Sequence, residues 1–157
     1  VILAFKAKIV GGGDQVEQCV RMIHDLGLSS MVSYEGPVAR ELLPDYFNEF
    51  DFFVFPSERK SESLGLVGLE AMACKCFVVA SDFAGMKTYI EHGVNGYLFY
   101  PGSHIDLKEK LLEAIELPCA KSLAIRDAAR GTTKKYETGL VAKNLIFRIK
   151  NLLNEQL

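Results

Sequence analysis

Residues Ser57 to Ser81 read SERKSESLGLVGLEAMACKCFVVAS and place two glutamates, Glu62 and Glu70, around the start of an apolar segment. Upstream lies a run of strand-forming residues, Phe52-Phe53-Val54-Phe55, stopped by Pro56. A second run, Phe77-Val78-Val79-Ala80, follows. Between them Leu64, Val67, Leu69, Ala71, Met72 and Ala73 suit one buried side of a helix, expected over 64–74. The unit therefore reads strand, loop, helix, strand. That is a parallel crossover, and its loop falls at the carboxyl end of a strand, where open α/β sheets bind ligands.

The start of that helix suggests chemistry. Ser61 or Ser63 is positioned to cap it, and Gly65 would let a ligand approach the backbone. Amides near Gly65, Leu66 and Val67 would then face an anion, and a pyrophosphate fits that description. Glu70 interrupts an otherwise apolar helix, where an unpaired carboxylate is costly to bury. The vicinal hydroxyls of a ribose would satisfy it. Glu62 lies at the edge of the same loop, within reach of hydroxyls on a group beyond the phosphates.

Composition narrows the function classes. At 157 residues and 49% apolar, the chain suits one domain with a respectable core. A net charge of −2 with no basic block argues against nucleic-acid binding. The longest apolar runs fall far short of a membrane span, and no signal peptide is visible. Cys19, Cys74, Cys76 and Cys119 form no metal or disulfide framework and read as reduced thiols of a cytoplasmic protein. His24, His92 and His104 are isolated. The first residue is Val1 rather than Met, so the expectation is a piece of a longer chain.

Strands and helices alternate elsewhere too. Residues 2–10 read as a strand entering Gly11-Gly12-Gly13, and a helix is expected from Gln15 to Leu26. The glycine run is a weak match to a dinucleotide fingerprint, whose third glycine would fall on Val16. Met31 to Tyr34 should form a strand, Glu35 to Val38 a loop, and Arg40 to Phe50 a helix. Beyond the central unit, a loop over 81–88 and a helical piece over 89–92 lead through Gly93 and Gly96 to a short strand. Helices are expected over 105–117, 119–130 and 136–153. The implied fold is α/β: a Rossmann-like open parallel sheet, helices on both faces, extra helices at the carboxyl end.

The pattern Glu62-Ser-Leu-Gly-Leu-Val-Gly-Leu-Glu70-Ala-Met-Ala resembles the donor-binding half of retaining nucleotide-sugar-dependent glycosyltransferases of GT-B fold, the group 1 or family 4 type. The resemblance runs along nearly the whole chain. It implies that Glu62 contacts the transferred sugar, that Glu70 holds the ribose, and that Ser63, Leu64, Gly65, Leu66 and Val67 border the donor phosphates. It places Gly36 and Val38 beside the nucleobase. It further implies a hexosyl transfer from a nucleoside diphosphate sugar to an acceptor saccharide or lipid-linked acceptor in surface polysaccharide synthesis, with no metal cofactor.

Several departures from the family pattern stand out. The family usually has Gly and Pro where this chain has Lys75 and Phe77, and an acidic residue near Thr88. Nothing before Ile2 supplies the family's first strand-helix unit, with its pyrophosphate-binding Arg and Lys, and no acceptor domain is present. Arg59 and Lys60 lie in the right loop to assist with charge. The chain by itself is therefore expected to be inactive in transfer. Two other readings fit the same residues: a non-catalytic nucleotide-sugar binding module, and a nucleotide-sugar epimerase of similar architecture.

Overall fold

The computed structural model describes residues 5–58 and 63–154, so Arg59, Lys60, Ser61, Glu62 and the expected strand start at Ile2 lie outside the described residues. The chain forms two compact units, Val1–Leu43 and Pro44–Leu157.

In the first unit, β1 (Ala7–Val10) pairs in parallel with β2 (Val32–Gly36), and α1 (Val16–Asp25) makes the crossover. The glycine run turns the chain between β1 and α1, with Gly11 and Gly13 at φ 141° and 144°, a region that side chains avoid. Two hydrogen bonds tie this turn to β2. Tyr34 donates its hydroxyl to the Gly11 carbonyl at 2.6 Å, and the Gly11 N–H reaches the Gly36 carbonyl at 2.9 Å. The helix expected from Arg40 begins instead as a 3-10 turn, Arg40–Leu42. Pro44 has no N–H to offer the Arg40 carbonyl, which takes the Leu43 N–H one residue earlier.

In the second unit α2 (Leu43–Glu49) leads to β3 (Phe52–Phe55), α3 (Leu66–Ala73), β4 (Phe77–Ser81) and β5 (Tyr97–Phe99). Three further helices follow, α4 (His104–Ile115), α5 (Cys119–Thr133) and α6 (Thr138–Asn154). The sheet is parallel, in the order β3-β4-β5. Every residue of β4 is buried, as expected of a central strand covered on both faces. Phe77 and Val79 join Tyr97 and Phe99 in one cluster, closed by Ala114 of α4 and Ile125 of α5. Edge-to-face stacking of Phe77 on Tyr97, at 5.2 Å between centroids, adds specific geometry to that burial. α6 is exposed along its described length, with Leu145, Phe147 and Leu152 each more than half accessible. No helix among the described residues is long and apolar enough to cross a membrane.

The helical piece expected over 89–92 is displaced. A 3-10 turn occupies Ala84–Thr88, and no helix forms at Tyr89 to His92. The buried side chain of Asn95 explains this. Its amide oxygen accepts the Glu91 N–H at 2.7 Å, and its amide nitrogen donates to the Tyr89 carbonyl at 2.8 Å and to the Thr132 hydroxyl at 2.9 Å. The Glu91 N–H and the Tyr89 carbonyl would otherwise be available to a helix.

Both departures at the end of α3 are absorbed locally. The Cys76 N–H bonds the Ala71 carbonyl and the Lys75 N–H the Met72 carbonyl, both at 3.0 Å, which is a Schellman closure. Its left-handed position is held by Lys75 at φ 60°, the one non-glycine residue with positive φ among those described. Phe77 donates its N–H to the Asp51 carbonyl at 3.2 Å, a bond that proline cannot make.

Lys75→Gly should therefore stabilise the protein. Removing left-handed strain gains roughly 1–2 kcal/mol. The half-exposed Lys75–Asp127 ion pair lost with it is worth about 0–1 kcal/mol. The expected rise in Tm is about 2–4 °C per kcal/mol retained; a fall in a thermal melt contradicts the account. Burial also pushes the Cys76 thiol up to about 12, while Cys119 is exposed. The native state thus keeps a proton that the unfolded chain releases from about pH 9 upward, so stability should fall as pH rises between about 9 and 12. Iodoacetamide at mildly alkaline pH should modify Cys119 and spare Cys76 until the chain unfolds, as peptide mapping will show.

Candidate functional site

The carboxyl ends of the second unit's strands lie in register, Phe55 beside Ala80 and Ser81 beside Phe99. Loops leave all three strands at this edge, the point at which parallel sheets present ligand sites. The loop after β3 meets the loop after β5 through Glu58, whose carboxylate lies 3.3 Å from the place a Cβ would take on Gly102. The Asp82 N–H crosses to the Phe99 carbonyl at 2.7 Å, and its carboxylate pairs with Lys87 at 3.3 Å.

The start of α3 stands at the same edge but is built differently from expectation. The helix begins at Leu66 rather than Leu64, and its N-cap is Gly65 with no side-chain cap, so Ser63 does not cap it; Ser61 lies outside the described residues. Gly65 adopts φ 71°, ψ 54°, which glycine reaches without a Cβ penalty. Nor does its bare Cα leave room for a ligand, as the sequence suggested. A Cβ there would meet Met86 Sδ and Phe55 Cε1 at 2.9 Å and Tyr89 Oη at 3.3 Å.

Two more glycines serve the same junction. A Cβ on Gly68 would collide with the Tyr89 hydroxyl, and one on Gly85 with the backbone of Ser63 and Leu64. The Tyr89 hydroxyl donates to the Gly65 carbonyl at 3.0 Å, anchoring the helix start. Thr88, near which the resemblance leads one to expect an acid, donates its hydroxyl to the Gly85 carbonyl at 2.6 Å and receives the Tyr136 hydroxyl on its own carbonyl at 3.3 Å. Gly68, Gly85, Met86 and Tyr89 are thus positioning residues that the sequence reading passed over. A detectable signal existed: a glycine inside a helix costs up to about 1 kcal/mol, so Gly68 in an apolar helix asks for a steric reason.

The structure brings Ser63, Leu64, Gly65, Leu66, Val67 and Glu70 together around one helix start. Ser63 is exposed, Leu66 is 56% exposed, Val67 is half-buried and Gly65 is buried. The Leu66 and Val67 N–H groups, in the first turn, have no intrahelical acceptor. Glu70 sits a turn further along, half-buried. Burial and then the charge of Glu70 raise the pKa of the half-buried Cys74, with Arg130 opposing. Glu62 lies outside the described residues. Gly36 and Val38 belong to the first unit, where Gly36 ends β2 at φ 76° and Val38 is half-buried in the following loop. No group of three or more His, Cys, Asp or Glu that could hold a metal ion occurs among the described residues.

Residues 3–132 match the family model described as "Glycosyl transferases group 1". The D-inositol 3-phosphate glycosyltransferase of Thermobispora bispora is 34% identical over 68% of this chain and 25% of its own length. The GDP-mannose-dependent alpha-(1-6)-phosphatidylinositol monomannoside mannosyltransferase of Mycobacterium tuberculosis is 29% identical over 78% of this chain and 33% of its own. Among solved structures, HepE of Anabaena in complex with UDP-glucose superposes with a TM-score of 0.78 at 30% identity, over 96% of this chain and 41% of HepE. The chain spans about a quarter to a third of the length of these curated relatives.

The junction can be tested without a ligand. Gly68→Ala should destabilise the protein by about 1–3 kcal/mol, because the added methyl overpacks against the Tyr89 hydroxyl. Removing that hydroxyl with Tyr89→Phe should recover part of the loss, so denaturant melts of the double variant should show clear non-additivity. Strict additivity contradicts the contact.

Proposed function

Because the chain belongs to the group 1 glycosyl transferases, we propose that it forms the donor-binding half of a retaining enzyme that transfers a sugar from a nucleoside diphosphate donor to an acceptor hydroxyl. The observation that carries this reading is the start of α3. It stands at the carboxyl edge of a parallel sheet, with its first-turn amides at the end that favours negative charge and Glu70 one turn behind. HepE, similar along nearly the whole chain, binds UDP and UDP-glucose, which supports a nucleotide-sugar ligand.

In this reading the diphosphate lies against the Leu66 and Val67 amides, Glu70 accepts from the ribose hydroxyls, and Ser63 and Leu64 border the phosphates. The family resemblance assigns Gly36 and Val38, in the first unit, to the nucleobase. Glu62 holds hydroxyls of the sugar while a donor phosphate oxygen takes the proton of the incoming acceptor. Negative charge grows on the leaving diphosphate as the glycosidic bond breaks, so amides already in place stabilise the transition state without reorganising. The mechanism calls for no metal. Lys75 and Phe77 lie at or beyond the opposite end of α3 and leave this geometry intact.

The acceptor is proposed to be a saccharide or lipid-linked hydroxyl held by the rest of the protein. The names of the relatives widen that class to polyol phosphates and phosphatidylinositol mannosides. Surface polysaccharide remains the reading drawn from the family resemblance, with the chemistry on the cytoplasmic side.

Two substitutions in the full-length enzyme separate the proposed roles. Glu70→Gln should weaken UDP or GDP binding about ten- to a hundredfold by calorimetry, the worth of hydrogen bonds to a charged partner. Glu62→Gln should lower kcat more than donor affinity, since its carboxylate faces a sugar that gains positive charge in the transition state. The 157-residue chain alone should show no transfer. Unchanged affinity and turnover in both variants would refute the assignment.

A further inference from the structure

The segment 84–89, which packs on the start of α3, is itself held from outside by the corner that joins α5 to α6. α5 packs along α3. Just past the carboxyl end of α3 the two are tied by the Lys75–Asp127 ion pair. After α5 a short 3-10 turn, Lys134–Tyr136, leads through extended Glu137, at φ −60° and ψ 129°, into α6. That turn brings Tyr136 to the segment at the other end of α3.

Two successive carbonyls of the segment are engaged from this side. The Tyr136 hydroxyl donates to the Thr88 carbonyl at 3.3 Å. The Tyr89 carbonyl accepts from the Asn95 amide at 2.8 Å, and the same nitrogen donates to the Thr132 hydroxyl at 2.9 Å, in the last turn of α5. Thr132 donates its own proton back to the Ala128 carbonyl at 3.1 Å, which fixes its oxygen as the acceptor. The Tyr136 ring also meets the Tyr89 ring edge to face, 6.1 Å between centroids and 73° between planes. Tyr89 is buried, and its hydroxyl shares the Gly65 carbonyl with the Gly68 N–H, at 3.0 and 2.9 Å. From the corner to the helix start the path therefore runs through two side chains, Tyr136 and Tyr89.

We propose that Tyr136 is a positioning residue for donor binding. Its ring and hydroxyl hold the segment 84–89 onto the glycine junction, and through Tyr89 they fix the Gly65 carbonyl and so the direction of the Leu66 and Val67 amides. Tyr136 acts through Tyr89 and not on the ligand. The ligand class, a nucleoside diphosphate, rests on the donor-binding reading; the contacts that hold the amides do not.

Hydrogen–deuterium exchange of the full-length protein, read well below its melting temperature, tests the coupling without a ligand. The peptide over residues 64–72 carries the Gly68 N–H and reports the helix start, while that over 77–81 reports the fully buried β4. Tyr136→Phe loses one hydrogen bond and should speed exchange over 64–72 by up to about tenfold. Tyr136→Leu loses the ring contact as well and should speed it further, and both should leave 77–81 unchanged. Calorimetry with UDP and with GDP should rank affinity in the same order, wild type above Tyr136→Phe above Tyr136→Leu, the last weakened at least about threefold. Unchanged exchange over 64–72 in Tyr136→Leu overturns the proposal. So does an equal rise over 77–81, which marks general loss of stability, or wild-type nucleotide affinity in both variants. Wild-type protein that binds neither nucleotide refutes the donor-binding reading itself, a failure distinct from these because exchange still reports whether Tyr136 holds the helix start.

Discussion

No side chain fits where the segment 84–89 meets the start of α3. Gly65, Gly68 and Gly85 are there because Phe55, Met86, Tyr89 and the Ser63–Leu64 backbone fill the space that their Cβ atoms would need. The Tyr89 hydroxyl then bonds the Gly65 carbonyl, turning a steric fit into a directional one. Everything proposed for the site depends on this junction, since it fixes the direction in which the Leu66 and Val67 amides point. The pattern also explains why no side chain caps the helix. A glycine in the left-handed region sets the entry angle, and Phe55, Met86 and Tyr89, rather than a capping side chain at the helix start, hold it.

Behind the junction lies the fully buried β4, with aromatic partners on either side. Phe77 packs against Phe52 of β3 and Tyr97 of β5, at 5.4 Å and 5.2 Å between centroids, so one side chain ties three strands together. A proline at this position, the commoner family residue, would forgo both the ring contacts and the N–H that reaches Asp51. A cavity of about 390 Å³ beside Arg126 borders the same aromatic row through Phe52. The amino end of β3 is therefore less tightly filled than the centre of the sheet.

Much of this was legible from residues alone. Alternation of strand-forming runs with apolar helices pointed to the parallel crossovers and nearly all elements. What escaped has a common cause. The Ser63 cap, the helix at 89–92 and the open space at Gly65 are local inferences. Each was overruled by a partner distant in sequence: Tyr89 and Met86 at Gly65, Thr132 behind Asn95. The unbroken helix from Arg40 failed for a local reason, the missing N–H of Pro44. Lys75 shows the opposite limit, because sequence flagged the missing glycine but not that the backbone would take the left-handed turn regardless.

The separation of the residues in the junction bears on the order of folding. The bond from Tyr89 to Gly65 spans 24 residues, and it forms between segments that leave different strands. Closing such a loop costs entropy that only an assembled β3–β4 pair can offset, so helix and sheet must come together before the glycine contacts can form. Within the β3–α3–β4 unit, this junction is thereby expected to become native after the two strands pair and to open before they separate. Local fluctuations, as seen by amide exchange, will concentrate where the chemistry is proposed and leave β4 protected.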